Sequence, residues 1–278
     1  MVFELVCFYS VFLRQKQKMK RFIKNIIFFI LNLFFAGLKN RASILMYHSV
    51  GDNPAFFTVS AKQFAKQLKY IKRRKLKVIK LSALVELLKR GEGIGNCICL
   101  TFDDGYEDNY KIAFPLLKKY SLPASIFLVT DLIGRKQKNS QDEYLPMLNE
   151  ARIKEMIGSG LIEFFPHTRT HIRLNQGISD KTRRDELDGS YCAVKNLTGN
   201  NALILAYPWG AYTEEVKQYL KNNGWLAAVS VENGLVKIGD DLFCLKRNFV
   251  GRKTSLNEFK VLVCEAADKY AKLKSWLK

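Results

Sequence analysis

From Ser43 onward the chain alternates short apolar runs with amphipathic stretches, and nothing else in it constrains the fold as strongly. Residues 43–47 read as a strand, and 61–74 carry Phe64, Leu68 and Ile71 at spacings of four and three, the mark of a helix with one buried face. The pattern then repeats. Strands are expected over 77–81, 97–102, 124–129, 161–165, 202–206, 226–231 and 242–247. Helices are expected over 83–90 capped by Ser82, 108–120 interrupted or kinked at Pro115, 150–159 closed by Gly160, 179–197, 213–222 and 255–271. The polar stretch 134–146 reads as a loop. Strands regularly separated by helices demand a parallel sheet with crossover helices, so the chain is an α/β protein whose sheet either closes as a barrel or stays open and doubly wound. No Pro/Gly/Ser-rich linker divides 43–271, which therefore reads as one domain.

The residues able to do chemistry fall at the C-terminal ends of these strands, where sites gather in both architectures. Asp103 and Asp104 are adjacent at one strand end, in Thr101-Phe102-Asp103-Asp104-Gly105. Their repulsion is relieved if a divalent cation holds one carboxylate and leaves the other free as a base. His167 and His171, in His-Thr-Arg-Thr-His, are four apart; on one helical turn they would face the same way and could share that ion. One carboxylate and two imidazoles leave coordination positions open, as a catalytic metal requires. A third group, Tyr207-Pro208-Trp209-Gly210, offers aromatic walls for a sugar and a backbone N–H for a developing oxyanion. The whole chain has three histidines, and the remaining one, His48, also follows a strand.

Composition narrows the partners. With 48% hydrophobic and 26% charged residues the chain is globular, not disordered. A formal net charge of +19 raises nucleic acid as a partner, but the lysines are scattered and no zinc-finger, RNP or helix-turn-helix pattern accompanies them, so none is expected. Anionic lipid or an acidic glycan is equally compatible with that charge. The six cysteines show no metal-ligand spacing; Cys97 and Cys99 would share one strand face and read as small buried residues.

Residues 1–42 read as a separate basic and apolar membrane-targeting segment. Residues 14–24 hold six basic residues and no acidic one, and 26–35 are apolar apart from Asn32. Arg21, Asn25, Asn32 and Lys39 leave a narrow polar stripe, favouring a helix in the membrane interface over a cleaved signal. Spanning by 22–38 would place the domain on the extracytoplasmic face; an interfacial helix would leave it on the cytoplasmic face. Met19 opens a natural targeting sequence, and residues 1–18 read as an over-extended start.

Taken together, Thr-Phe-Asp-Asp-Gly, His-Thr-x-x-His and Tyr-Pro-x-Gly-x-Tyr resemble the polysaccharide deacetylase family (NodB-like, carbohydrate esterase family 4) over about residues 43–252. Leu45-Met46-Tyr47-His48-Ser49-Val50 is similar to the permuted branch that includes poly-N-acetylglucosamine deacetylases. The resemblance implies a distorted (β/α) barrel of about seven strands and a divalent metal, zinc in first place. It implies Asp104, His167 and His171 as metal ligands, Asp103 as general base, His48 as general acid and the Tyr207 N–H as oxyanion donor, with Pro208 and Trp209 beside the substrate. Pro166 stands where many relatives have serine, and the arginine common in the third motif is absent from 203–210. Arg247 could orient Asp103 in its place. The implied reaction removes N-acetyl groups from amino sugars of an envelope polysaccharide or lipid-linked glycan. The alternatives are O-deacetylation on the same fold and a membrane-associated glycan-binding protein with an inactive site.

Overall fold

The structure, a computed structural model, describes residues 40–138, 144–175 and 177–276, together with Met19, Ile23 and 26–31. In chain order it runs β1 (Ala42–Tyr47), α1 (Ala61–Arg73), β2 (Lys77–Val78), α2 (Leu81–Lys89), β3 (Cys97–Phe102), α3 (Phe114–Tyr120) and β4 (Ala124–Leu128). A small hairpin of β5 (Lys136–Lys138) and β6 (Tyr144–Pro146) precedes α4 (Glu150–Gly158) and β7 (Ile162–Pro166). Then come α5 (Asp180–Thr198), β8 (Ile204–Ala206), α6 (Glu214–Asn222), β9 (Ala227–Val229), β10 (Asn248–Phe249), α7 (Leu256–Leu262) and α8 (Ala266–Trp276).

The main sheet is ordered β10-β1-β3-β4-β7 and every pairing in it is parallel. β2 pairs with the start of β3, on Cys97 and Ile98, and β4 pairs with its end, on Thr101 and Phe102. Parallel pairing resumes in β8–β9. The result is a distorted (β/α) barrel whose ladder is interrupted between β7 and β8 and again between β9 and β10. Parallel strands covered on both sides must be apolar on both sides, and β1 and β3 are buried at every residue. Their alternation sorts them into two cores. Leu45, Tyr47, Ile98, Leu100 and Phe102 meet Phe64, Leu68 and Ile71 of α1, whereas Ala42, Ile44, Cys97 and Cys99 meet Leu81, Leu84, Val85 and Leu88 of α2. The inner row Cys97-Cys99-Thr101 ends at Asp103, so the same alternation delivers a carboxylate to the barrel mouth. Cys97 and Cys99 are free and buried, as expected.

Several local expectations are corrected. Ser82 does not cap α2, which begins one residue earlier; its N–H and hydroxyl donate to Glu163 at 3.1 and 2.6 Å, so the next strand's carboxylate satisfies the helix start. Residues 242–247 form no strand: 242–244 make a 3₁₀ turn and the ladder begins at Asn248. The helix expected over 108–120 runs without interruption, a π turn at 109–113 leading into α3, whose first turn holds Pro115. The closing helix is two, α7 and α8, and the loop 134–146 contains the β5–β6 hairpin. Most of the expected 22–38 targeting helix, and all of 1–18, lies outside the described residues. Residues 26–31 are helical, with Phe28 only 1% exposed and edge-on to Tyr270, centroids 5.1 Å apart. Among the described residues no helix is long and apolar enough to cross a membrane.

Candidate active site

Register sets the site. Tyr47 pairs with Phe102, and the Asp103 N–H donates to the Tyr47 carbonyl at 2.9 Å. His48 and Asp103, the next residue on each strand, therefore leave the sheet side by side. On the other flank of β1, Arg247 lies just before β10 and is 0% exposed. Its Nη1 and Nη2 donate to the two oxygens of Asp103 at 2.6 and 2.7 Å, Nε donates to the Ser230 carbonyl at 2.9 Å, and Nη1 also reaches Thr101 Oγ1 at 3.3 Å. Burial would raise the Asp103 carboxyl, but the Arg247 charge, helped by the neighbouring histidines, overrides it and brings the group down to about 2. The base candidate is thus ionised and oriented, and the arginine missing from the third motif is replaced from the far end of the chain.

Asp104 turns away from Asp103 because its backbone is left-handed, φ 70°, and Gly105 follows at φ 79°. A Cβ at Gly105 would lie 2.6 Å from Leu128 Cδ2, so no larger residue fits this turn. Asp104 Oδ1 lies 3.5 Å from His167 Nε2 and 3.3 Å from His171 Nε2. The three ligand atoms lie within 4.8 Å of one another. The histidines are not on a helical turn, as expected from spacing; they share a bent loop in which Thr168 and His171 are both left-handed, φ 62° and 64°. Glu186 of α5 holds that loop, accepting from the Arg169 and Thr170 N–H groups at 2.9 Å each and from the Thr170 hydroxyl at 2.6 Å. Despite Pro166, His167 is well supported by carbonyls: its N–H donates to Leu128 at 2.8 Å and Nδ1 meets Ala206 at 2.8 Å. That bond puts the ring proton on Nδ1 and leaves Nε2 as a lone pair. Burial pushes both imidazoles down to about 4, so both are neutral near pH 7. Two lone pairs and a buried carboxylate oxygen with no hydrogen-bond partner among the described residues then converge on one point, an arrangement that a divalent cation resolves.

His48 sits among rings: Phe57 at 5.6 Å and Phe249 at 6.0 Å between centroids, with Phe57 stacked on Tyr106 at 5.5 Å. On the opposite rim Trp209, left-handed at φ 61° and 57% exposed, lies 5.3 Å from the His171 ring and under the Arg173 guanidinium at 4.6 Å. Pro208 is buried behind it. At Tyr207 the backbone N–H is already engaged. Its N–H donates to the Val229 carbonyl at 3.2 Å, continuing the β8–β9 pairing, and its hydroxyl donates to Phe243. Oxyanion donation would require that backbone bond to be given up. Sequence reasoning missed Glu186, Phe57 and Phe249, which lie outside the motifs; Arg173 stood two residues behind the second motif, and Tyr106, Asp108 and Asn109 directly behind the first, and could have been questioned there.

The model of the family described as polysaccharide deacetylase matches residues 90–228. Bacillus subtilis (strain 168) YxkH is 31% identical over 205 residues, 73% of this chain and 69% of that protein. A Staphylococcus aureus poly-β-1,6-N-acetyl-D-glucosamine N-deacetylase is 30% identical, over 65% of this chain but only 63% of its own length. Among solved structures, the Streptococcus pyogenes deacetylase PplD in complex with acetate is 25% identical with a TM-score of 0.69, covering 78% of this chain and 96% of that one. IcaB from Ammonifex degensii, 23% identical with a TM-score of 0.69 over 81% and 98%, shares the fold. Motifs, barrel and comparisons agree, and the chain belongs to the polysaccharide deacetylase family.

Proposed function

We propose that this protein is a metal-dependent carbohydrate deacetylase that hydrolyses N-acetyl groups on amino-sugar residues of an envelope polysaccharide or lipid-linked glycan. The observation that carries the reading is the Arg247-clamped carboxylate of Asp103 standing beside the converging ligand atoms of Asp104, His167 and His171. The staphylococcal relative's N-acetylated polymer supports an amide as the bond attacked. Two imidazoles and one carboxylate suit a cation of borderline softness, with zinc as first choice. When bound, that ion supplies Lewis acidity to the acetyl carbonyl and to water. Asp103, ionised and buried, is placed to take the water's proton. His48, on the adjacent strand end, is placed to return one to the departing amine, which leaves poorly unprotonated. Trp209 and Phe56, the latter 63% exposed, offer flat apolar faces to a pyranose ring.

The test is acetate release from N-acetylglucosamine oligomers by zinc-loaded protein, by chelator-stripped protein and by the His167→Ala/His171→Ala variant. Loaded wild type should release acetate, and the other two should lose a hundredfold or more, on the order of what metal-site damage costs. Release from O-acetyl but not N-acetyl glycans would move the reading to O-deacetylation. Release from neither, with glycan still retained, would leave a binding protein.

We further infer that the N-terminal segment rests on a membrane surface. Docking of Phe28 beside Tyr270, with Ile26, Phe29 and Ile30 outward, supports a helix lying along the domain, and the basic run at 14–24 suits anionic headgroups. Flotation with anionic vesicles, lost in Phe29→Asp/Ile30→Asp, is the expected result; equal flotation of the variant removes the inference.

A further inference from the structure

We propose that Asp108 and Asn109 are positioning residues for the general acid, clasping the backbone of the His48 turn where no side chain holds the imidazole itself. The proposal rests on the reading of His48 as that acid. Three consecutive residues of the turn each give one polar group to this pair. The His48 carbonyl accepts from Asn109 Nδ2 at 2.8 Å, the Ser49 hydroxyl donates to Asp108 Oδ2 at 2.5 Å, and the Val50 N–H donates to Asp108 Oδ1 at 3.1 Å. Asn109 Nδ2 also donates to Asp108 Oδ1 at 3.1 Å, so the two side chains brace each other. The clasp extends outward: Asn53 Nδ2 donates to Ser49 Oγ at 2.7 Å, and Asn53 Oδ1 accepts from Ala55 N–H and the Thr58 hydroxyl. These bonds shape the loop that carries Phe57 back over the His48 ring.

The imidazole itself is bare of such help. His48 Nδ1 is buried and has no hydrogen-bond partner among the described residues, and the ring meets Phe57 and Phe249 instead. Aromatic walls limit ring rotation but do not say where the ring begins; that is decided by the backbone it hangs from. Asn109 is fully buried and opens the π turn at 109–113, a wide turn of the kind found often at functional sites. The end of β3 thus has two outputs: Asp103 and Asp104 face the reaction, and beyond the motif Asp108 and Asn109 reach back across β3 to hold the residue leaving β1.

An acid held in this way acts only where the leaving group needs a proton, which separates positioning from scaffolding. With zinc-loaded full-length protein, turnover is measured on N-acetylglucosamine oligomers and on 4-nitrophenyl acetate, whose phenolate leaves unaided. Asn109→Ala and Asp108→Ala should lower amide turnover by about tenfold to a hundredfold, the cost of a misplacement near 1 Å, and ester turnover far less. Asp108→Asn, which can still accept from the Val50 N–H, should recover most of the amide activity. His48→Ala should show the same split in larger form. If His48→Ala keeps its split and the clasp variants lower both substrates equally, Asp108 and Asn109 are scaffold only and the proposal falls. If His48→Ala itself lowers both equally, the assignment of His48 as the acid has failed instead. Should Asp108→Ala not fold, Asn109→Ala and Ser49→Ala, each removing two bonds of the clasp and leaving the Asp108–Val50 bond, carry the same comparison.

Discussion

Asp103 and His48 leave neighbouring strands at the same level, yet opposite means hold them. Asp103 is gripped by two guanidinium bonds in full burial, whereas His48 has aromatic walls and a backbone clasp but, among the described residues, no charged partner in hydrogen-bond contact. The contrast follows from their tasks. A base that must stay ionised gains from a cation that never gives up its proton. An acid must pass between two charge states, and a fixed carboxylate against the ring would favour the imidazolium and blunt its donation. Charge therefore suits one side of the site and packing the other.

The largest test of this division is Asp103→Asn. Acetate release should fall by roughly two to four orders of magnitude, on amide and activated ester alike, because both need the water deprotonated. A loss confined to amides would erase the distinction between the two sides. Next is Arg247→Met, which strands a buried carboxylate. Denaturant unfolding should show a loss of about 3–5 kcal/mol, and Arg247→Lys should recover little of it because an ammonium cannot fork across both oxygens. Wild-type stability in Arg247→Met would mean that the grip on Asp103 is incidental.

A smaller effect sharpens the acid side. Burial raises the Asp108 carboxyl to about 6, against the opposing bonds from Ser49, Val50 and Asn109. Between about pH 4 and 6 the folded protein holds a proton there that the unfolded chain has released. The stability contributed by the protonated group is therefore complete below about pH 4 and lost as pH rises through 6. The difference in unfolding free energy between wild type and Asp108→Asn should change across that window by on the order of 2 kcal/mol. A flat difference would show Asp108 ionised throughout. Smallest is Phe57→Leu, which removes one wall and its stacking on Tyr106. About 1 kcal/mol of stability and a several-fold loss on amides are expected, with ester turnover nearly unchanged. An equal loss on esters would put Phe57 in substrate binding instead.

Much of this was readable from the residues because the polar ones interrupt apolar runs at strand ends. Asp103, Asp104 and His167 follow strands whose burial is complete or nearly so, and their grouping needs only the parallel order that the alternating pattern implies. Arg247 was readable only as a candidate, since nothing local announces that residues 144 positions apart will share a bidentate bond. The loop of His167 and His171 was misread because spacing by four is the same number in a helix and in a loop bent by two left-handed residues. Leu242, Phe243, Cys244 and Leu245 are apolar in succession, and periodicity cannot tell a buried turn from a buried strand over so short a run. Ser82 looked like a cap because its real partner, Glu163, is remote in sequence.

The pairing of β1 with β10 also has a meaning in time. Leu45 meets Asn248 and Met46 meets Phe249, so a strand made early in this domain waits for one made much later. Contacts of such separation form late and slowly. Until Arg247 arrives with that strand, Asp103 has no counter-charge, and the barrel mouth cannot close around an ionised carboxylate without penalty. The segment carrying Arg247 and β10 thus completes the base, and a chain cut before it should emerge with its metal ligands present and its chemistry switched off.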